Sequence, residues 1–171
     1  MEIRPASLKD LPIIRHIACL TWPIAYSDIL SPGQVGYMLN KMYNLTTLQR
    51  QLLEEGHLFF ICYNNRMPVG FAGISKVDYK LKSDDSKNVW KLHKLYVLPE
   101  AQKTGAGKLL MNTCLQTIND HKGNYLILNV NRKNPACHFY LKKGFEVIET
   151  IDLDIGAGFY MVDYIMGKAI N

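Results

Sequence analysis

No apolar stretch in this chain of 171 residues approaches the ~18–20 residues that a membrane-spanning helix requires. The opening Met1-Glu2-Ile3-Arg4-Pro5 has no apolar core of a leader peptide. Cysteine is sparse: Cys19, Cys62, Cys114 and Cys137 form no C-x-x-C pair and keep no metal-ligand spacing to a histidine. Reduced, mostly buried thiols in a cytoplasmic protein are therefore expected, with no disulfide framework and no metal site. Runs of consecutive basic residues and basic helix stripes are also missing, which argues against a nucleic-acid partner. Neither a repeat, a low-complexity tract nor a linker interrupts the chain, so residues 1–171 are expected to form one domain.

What is present suits a packed enzyme-sized fold. Apolar residues make up 48% of the chain. A chain this long buries roughly 70% of the surface its unfolded form exposes. Twenty Lys and Arg against fifteen Asp and Glu give a net charge of +5, compatible with an anionic ligand such as a phosphorylated cofactor. Ten tyrosines, each an apolar ring with a polar tip, are candidates to line a cleft.

The patterning orders the elements. Residues 2–4 read as a first strand. Ser7 and Asp10 open a helix carrying Leu11, Ile14, Ile17 and Ala18 at helical spacing, which Pro23 interrupts. Ser31-Pro32-Gly33 restarts a helix, and Thr46–Leu53 forms another that Gly56 closes. Residues 57–63 and 68–79 then read as a hairpin turning at 64–67. A charged connection over 80–87 follows, with a strand over 89–98 stopped by Pro99. Helix 107–120, strand 125–130, helix 135–143 and strands 145–153 and 160–166 complete the chain, the last two turning at Gly156-Ala157-Gly158. This is an α/β (α+β) chain with a mixed, mostly antiparallel central sheet of about six or seven strands flanked by helices. The strand–loop–helix–strand centre implies a parallel crossover.

That centre also carries the strongest chemical signal. Gln102-Lys103-Thr104-Gly105-Ala106-Gly107-Lys108 lies between a strand and a helix start. The first amides of a helix lack intrahelical partners and face the positive dipole end, which suits a phosphate. Gly105 and Gly107 remove side chains where a ligand would approach, and Lys103 and Lys108 add charge. The loop is neither a Walker loop, because Leu109 follows Gly107-Lys108, nor a dinucleotide fingerprint, which needs three glycines.

The stretch Leu92–Leu110 resembles the cofactor motif of the GNAT N-acetyltransferases, [Q/R]-x-x-G-x-[G/A] after a strand. Asn134-Pro135-Ala136-Cys137-His138-Phe139-Tyr140-Leu141-Lys142-Lys143-Gly144-Phe145 is similar to that family's later motif, ending in F-Y-x-K-x-G-F. Over its whole length the sequence looks most similar to the bacterial spermidine/spermine acetyltransferase branch.

The resemblance implies splayed central strands and acetyl-CoA as cofactor. It implies backbone pairing of Leu95, Tyr96 and Val97 with the pantetheine arm, and a pyrophosphate ringed by Gln102, Lys103, Thr104, Gly105, Ala106 and Gly107, with Lys108 and Lys143 nearby. The family's Asn lies seven residues before the Tyr, where this chain has Lys133, so Asn134 and Asn131 compete for that role. Tyr140 matches the general acid. Where many relatives carry a Glu on the strand before the loop this chain has Lys91, leaving His93 as candidate base, with Glu100 and a water chain as alternatives. Trp22, Tyr26, Tyr79 and Tyr160, with Tyr37, Tyr43 and Phe159, are the candidate walls for a small amine or polyamine. Asp28, Asp78, Asp84, Asp85, Asp152, Asp154 and Asp163 are its candidate acidic partners. By analogy a homodimer pairing through the edge at 159–166 is expected. Protein N-terminal or lysine acetylation and a non-catalytic acyl-CoA-binding module are the competing functions.

Overall fold

The computed structural model describes residues 1–81 and 88–170. The connection expected over 80–87, with Asp84 and Asp85, lies mostly outside the described residues.

Five amphipathic or capped segments become helices for local reasons. Helix α1 (Leu11–Ala25) buries Leu11, Ile14, Ile17, Ala18 and Trp22 along one stripe. Pro23 does not break it: it sits in the last turn, and the chain remains helical for two residues past it. Helix α2 (Pro32–Tyr43) starts on Ser31, whose hydroxyl accepts from the Gln34 amide at 3.1 Å. Asn44 caps α3 (Leu45–Leu53) through the Thr47 amide at 2.8 Å. Helix α4 (Ala106–Asp120) buries Leu110, Met111, Cys114 and Ile118, and α5 (Ala136–Lys142) buries Tyr140.

The strands are β1 (Glu2–Pro5), β2 (Leu58–Asn64), β3 (Met67–Lys76), β4 (Val89–Val97), β5 (Tyr125–Asn131), β6 (Glu146–Gly156) and β7 (Phe159–Ala169). They form one seven-stranded sheet in the order β1-β2-β3-β4-β5-β7-β6. Among the described residues only β4 and β5 run parallel. The β2–β3 turn holds Asn65 and Arg66 at φ 48° and 66°, the positive angles of a tight two-residue hairpin. The final hairpin inserts β7 between β5 and β6, so residues 159–166 are interior and the edge at that end of the sheet is β6.

Two layers cover the sheet. One face packs α4 and α5 on Phe60, Ala72, Ile74, Trp90, Leu92, Leu126, Leu128 and Met166. The other packs α1–α3 on Phe59, Ile61 and Phe71. Between Gly73 and Ile74 the β3–β4 register shifts: Lys94 faces Gly73, Leu92 faces Ile74, and His93 is the extra residue of a bulge. Gly73 is required there, because a Cβ on it would lie 2.7 Å from the Phe59 ring. Gly73→Ala should therefore lower the unfolding free energy by about 1–3 kcal/mol. A urea titration showing no change would mean that the bulge has room to spare.

Candidate active site

The cleft begins where two strands part. Parallel pairing of β4 with β5 runs from Val89↔Tyr125 to Leu92↔Leu128 and stops. Beyond it Leu95, Tyr96 and Val97 diverge from Asn129 and Val130, opening a cavity of about 660 Å³ that all five residues line. The bulge sets which side chains look where. His93 stacks on His57 with ring centroids 4.2 Å apart. Lys94 extends onto the same helical face, over the rings of Tyr43 and Phe59 at 5.4 and 5.6 Å. Leu95 and Val97 return to the α4 side.

The glycine loop closes one end. Lys103 and Gly105 have φ of 63° and 98°, and Gly105 occupies the N-cap of α4 with no side chain capping it. The amides of Lys103, Thr104 and Gly105 meet no protein acceptor among the described residues. Amides in alternating right- and left-handed backbone form a concavity suited to an anion. Gln102 and Gly107 line the cleft itself. Thr104 turns its hydroxyl back to the Ala101 carbonyl at 2.6 Å, and Ala106 is packed in the core. Lys103 and Lys108 are exposed beside the loop. Exposed charges are screened within roughly 8 Å at physiological salt, so the loop amides dominate close recognition.

The β5–α5 turn forms the opposite wall. Asn134 lines the cleft and accepts the Ala136 amide at 2.9 Å. Its rival Asn131 is buried, its side chain accepting the Lys133 amide at 3.0 Å, which makes it a staple of the turn. Tyr140 lines the cleft at 8% exposure, held edge-on by Phe139 and Phe145 at 5.3 and 5.6 Å. Burial raises its phenol above the ordinary value of 10, so it stays protonated at neutral pH. Lys143 instead lies over the Phe139 ring, outside the cleft lining.

On the helical face, the Tyr26 and Tyr96 hydroxyls meet at 3.2 Å and both rings line the cleft. The other six expected wall residues do not: Tyr43 is buried in the core, Tyr37 donates to the Ile155 carbonyl at 2.7 Å with the Phe159 ring packed 5.5 Å away, and the remaining three point elsewhere. Trp22 is core, its indole N–H donating to the Tyr43 hydroxyl at 3.3 Å, because its turn of α1 faces the sheet. Tyr79 reaches the other way and donates to Glu149 at 2.8 Å. Tyr160 is 55% exposed near the β6–β7 turn. The aspartates also separate. Asp28 lines the cleft and Asp163 is buried; Asp152 pairs with Arg132, while Asp154 accepts the Gly156 amide.

His93 reaches the cleft, but its chemistry differs from that of a strong base. Its Nε2 lies 2.8 Å from the Ser75 hydroxyl, and burial, with His57, Lys94 and Lys91 around it, lowers its pKa to about 2. Burial lowers His57 to about 4. So weak a base cannot hold the proton of an alkylammonium. Lys94, lowered to about 8 by burial, and Asn129, which lines the cleft, were not foreseen as site residues. The slip in β4, where Trp90 and Leu92 give way to Leu95 and Val97, is the sequence signal that points to Lys94.

The histidine pair predicts acid sensitivity. Above pH 6.5, the ordinary histidine value, folded and unfolded chains are both neutral here. Below it the unfolded chain takes up protons that the fold refuses, so stability falls toward about pH 4 for His57 and further for His93. Urea midpoints should drop across that window, and the double variant His57→Gln, His93→Gln should show a shallower drop. Identical pH profiles for the two proteins would refute the neutral pair.

Similarity to known proteins agrees with this geometry. The chain is 28% identical over 164 residues to an uncharacterized N-acetyltransferase of Mycobacterium tuberculosis, covering 95% of this chain and 99% of that protein. Its fold matches the PaiA N-acetyltransferase of Thermoplasma acidophilum, solved in complex with coenzyme A, at TM-score 0.78 and 24% identity over 99% of both chains. It also matches the ribosomal-protein-S18-alanine N-acetyltransferase of Escherichia coli at TM-score 0.71 and 20% identity, covering 99% of this chain and 93% of that one. The family model described as an acetyltransferase (GNAT) domain matches residues 29–166, and the chain belongs to that family.

Proposed function

We propose that the chain moves an acetyl group from acetyl-CoA to the primary amine of a small acceptor, by direct attack while both are bound. The fork between β4 and β5 carries this reading. It offers an unpaired strand edge that leads to a helix start with free amides. That combination suits a long, thin molecule with a diphosphate at one end.

In this reading the amides of Lys103–Gly107 receive the pyrophosphate, the Gln102 amide being taken by the Pro99 carbonyl at 3.2 Å, and Lys103 and Lys108 attract it. The backbone of Leu95–Val97 pairs with the pantetheine arm, and Asn134 hydrogen-bonds the arm from the opposite wall. Asn131 and Lys143, turned elsewhere, take no part. The amine reacts in its neutral form. Its nitrogen bonds to the acetyl carbon, the carbon–sulfur bond breaks, and Tyr140 donates its phenolic proton to the departing sulfur. His93, held neutral, accepts a hydrogen bond from the amine; the proton of the incoming ammonium passes to water before attack, and the second proton, shed by the nitrogen as the amide forms, passes through water to restore the Tyr140 phenol.

A polyamine acceptor is favoured by the resemblance to the spermidine/spermine branch and by Asp28 in the cleft lining. Acetylation of a protein N-terminus or lysine is the second reading, supported by the likeness to a ribosomal-protein-alanine acetyltransferase. A thiol-release assay with spermidine, an aminoglycoside and a short peptide separates them. Acetyl-CoA binding without release to any of the three would make the chain a non-catalytic binding module. Tyr140→Phe should reduce turnover by roughly 10–10³-fold and leave acetyl-CoA affinity nearly constant. Full turnover in that variant would remove Tyr140 from the reaction.

A further inference from the structure

Two lysines, Lys94 and Lys133, line the cleft. Lys94 is buried, its Nζ 3.0 Å from the Gln51 side-chain oxygen and over the Tyr43 and Phe59 rings, none of which belongs to the cleft lining. Lys133 is exposed on the opposite wall, and no carboxylate approaches its Nζ within 4 Å among the described residues. The turn that carries it is pinned. The Arg132 amide donates to the Val162 carbonyl at 3.0 Å, the Lys133 amide to the Asn131 side chain at 3.0 Å, and the Asn134 amide to the Asn131 carbonyl at 2.9 Å. The Arg132 guanidinium leaves for Asp152 on the edge strand β6, while Lys133 stays with the cleft. It brings there an amine on a flexible four-carbon stem.

Tyr140 lines the same cleft seven residues farther on. The Cys137 amide donates to the Asn134 carbonyl at 3.0 Å, so a tight turn leads directly into α5. At about 2.0 Å per residue in such a turn and about 1.5 Å in the helix, Lys133 and Tyr140 are roughly 12 Å apart along the axis. Helical side chains lean toward the helix N-terminus, which turns the Tyr140 phenol back toward Lys133. Each side chain extends roughly 6 Å, so the amine and the phenol can meet at one thioester.

We propose that Lys133 is an acetyl acceptor in cis: with acetyl-CoA bound and no free amine in the cleft, the enzyme acetylates its own Lys133. The inference rests on the acetyl-transfer reading above and uses the same proton donor. The Lys133 ammonium first gives a proton to water. Its nitrogen then bonds to the acetyl carbon, the carbon–sulfur bond breaks, and the electron pair stays on sulfur, which takes the Tyr140 proton and leaves as the coenzyme A thiol. The second proton, shed by the nitrogen as the amide forms, passes through water to restore the phenol. A nucleophile held in the same cleft has a proximity that lysines elsewhere on the surface lack. The product exchanges a cation in the cleft wall for a neutral amide. A free acceptor competes for the same acetyl group, so the modified fraction rises when acetyl-CoA is abundant and the amine is scarce.

The test incubates the enzyme at two concentrations with saturating acetyl-CoA and no amine, and follows each lysine by peptide mass spectrometry. Lys133 should gain an acetyl group about 10-fold faster or more than the exposed Lys9 and Lys122, with a rate constant independent of enzyme concentration. Tyr140→Phe should slow Lys133 by roughly 10–10³-fold and leave Lys9 and Lys122, which react without the site, at their wild-type rates. Lys133 modified no faster than those two, at a rate constant that rises with enzyme concentration, or equally in Tyr140→Phe, overturns the proposal. The wild-type rates decide it even where the variant does not fold. Thiol release to added amines with Lys133 unmodified would sink this inference and leave the transfer reading intact. Fast Lys133 acetylation without release to any added amine would do the reverse.

Discussion

The parting of β4 from β5 after Leu92 and Leu128 is the constraint on which the rest of the site depends. A sheet normally satisfies its backbone groups strand against strand, and a buried group left unpaired costs about 1–3 kcal/mol. Here the shortfall is tolerated because the gap is an open cleft, where water or a ligand can supply the missing bonds. The fork is maintained from both sides. On one side β3 holds β4 along its length through Gly70↔Val97 and Ala72↔Leu95. On the other β7 holds β5 from Tyr125 to Asn131. Neither strand can close the gap without leaving its other neighbour.

The fork also separates two electrostatic environments. The loop end presents backbone amides and exposed lysines, a mild positive field that an anion can use. The helical face holds buried groups whose charge is restrained. His57 and His93 are kept neutral, and Lys94 is stabilised by two aromatic faces and by Gln51, whose side-chain oxygen lies 3.0 Å from its Nζ. A cation over aromatic rings is worth up to about 2 kcal/mol when desolvated. That offsets part of the cost of burying Lys94, but its pKa is still lowered, so the balance remains against the charged form.

Much of this was legible in the sequence because its signals are local. A strand stopped by Pro99, a loop with two glycines and an amphipathic helix after it name their own conformations, and the order of elements followed from periodicity. Distant side chains were not legible in this way. Trp22 and Tyr79, like Tyr26, are apolar rings with a polar tip, and only the direction of the helix turn or strand decides which of them meets the cleft. The edge was misplaced for a similar reason. A hairpin over residues 146–169 can add to a sheet through either strand, and nothing in its pattern states that β7 goes inside. The bulge was written in the alternation of β4, but a one-residue slip reads as noise until the partner strand is known.

The burial of Tyr140 at first works against the role assigned to it. A phenol whose pKa is raised by its surroundings is a weaker acid, and an ordinary thiol near 8.5 leaves a thiolate that has little need of its proton. But the sulfur would depart into the same apolar wall. Cys114 shows what that interior does to a thiol: burial alone raises it to about 12. Desolvation therefore lifts donor and acceptor together and preserves the match between them, while the absolute values move out of the physiological range. It also keeps the phenol fully protonated while the enzyme waits. In the proposed reaction the proton would then move only when negative charge develops on the departing sulfur.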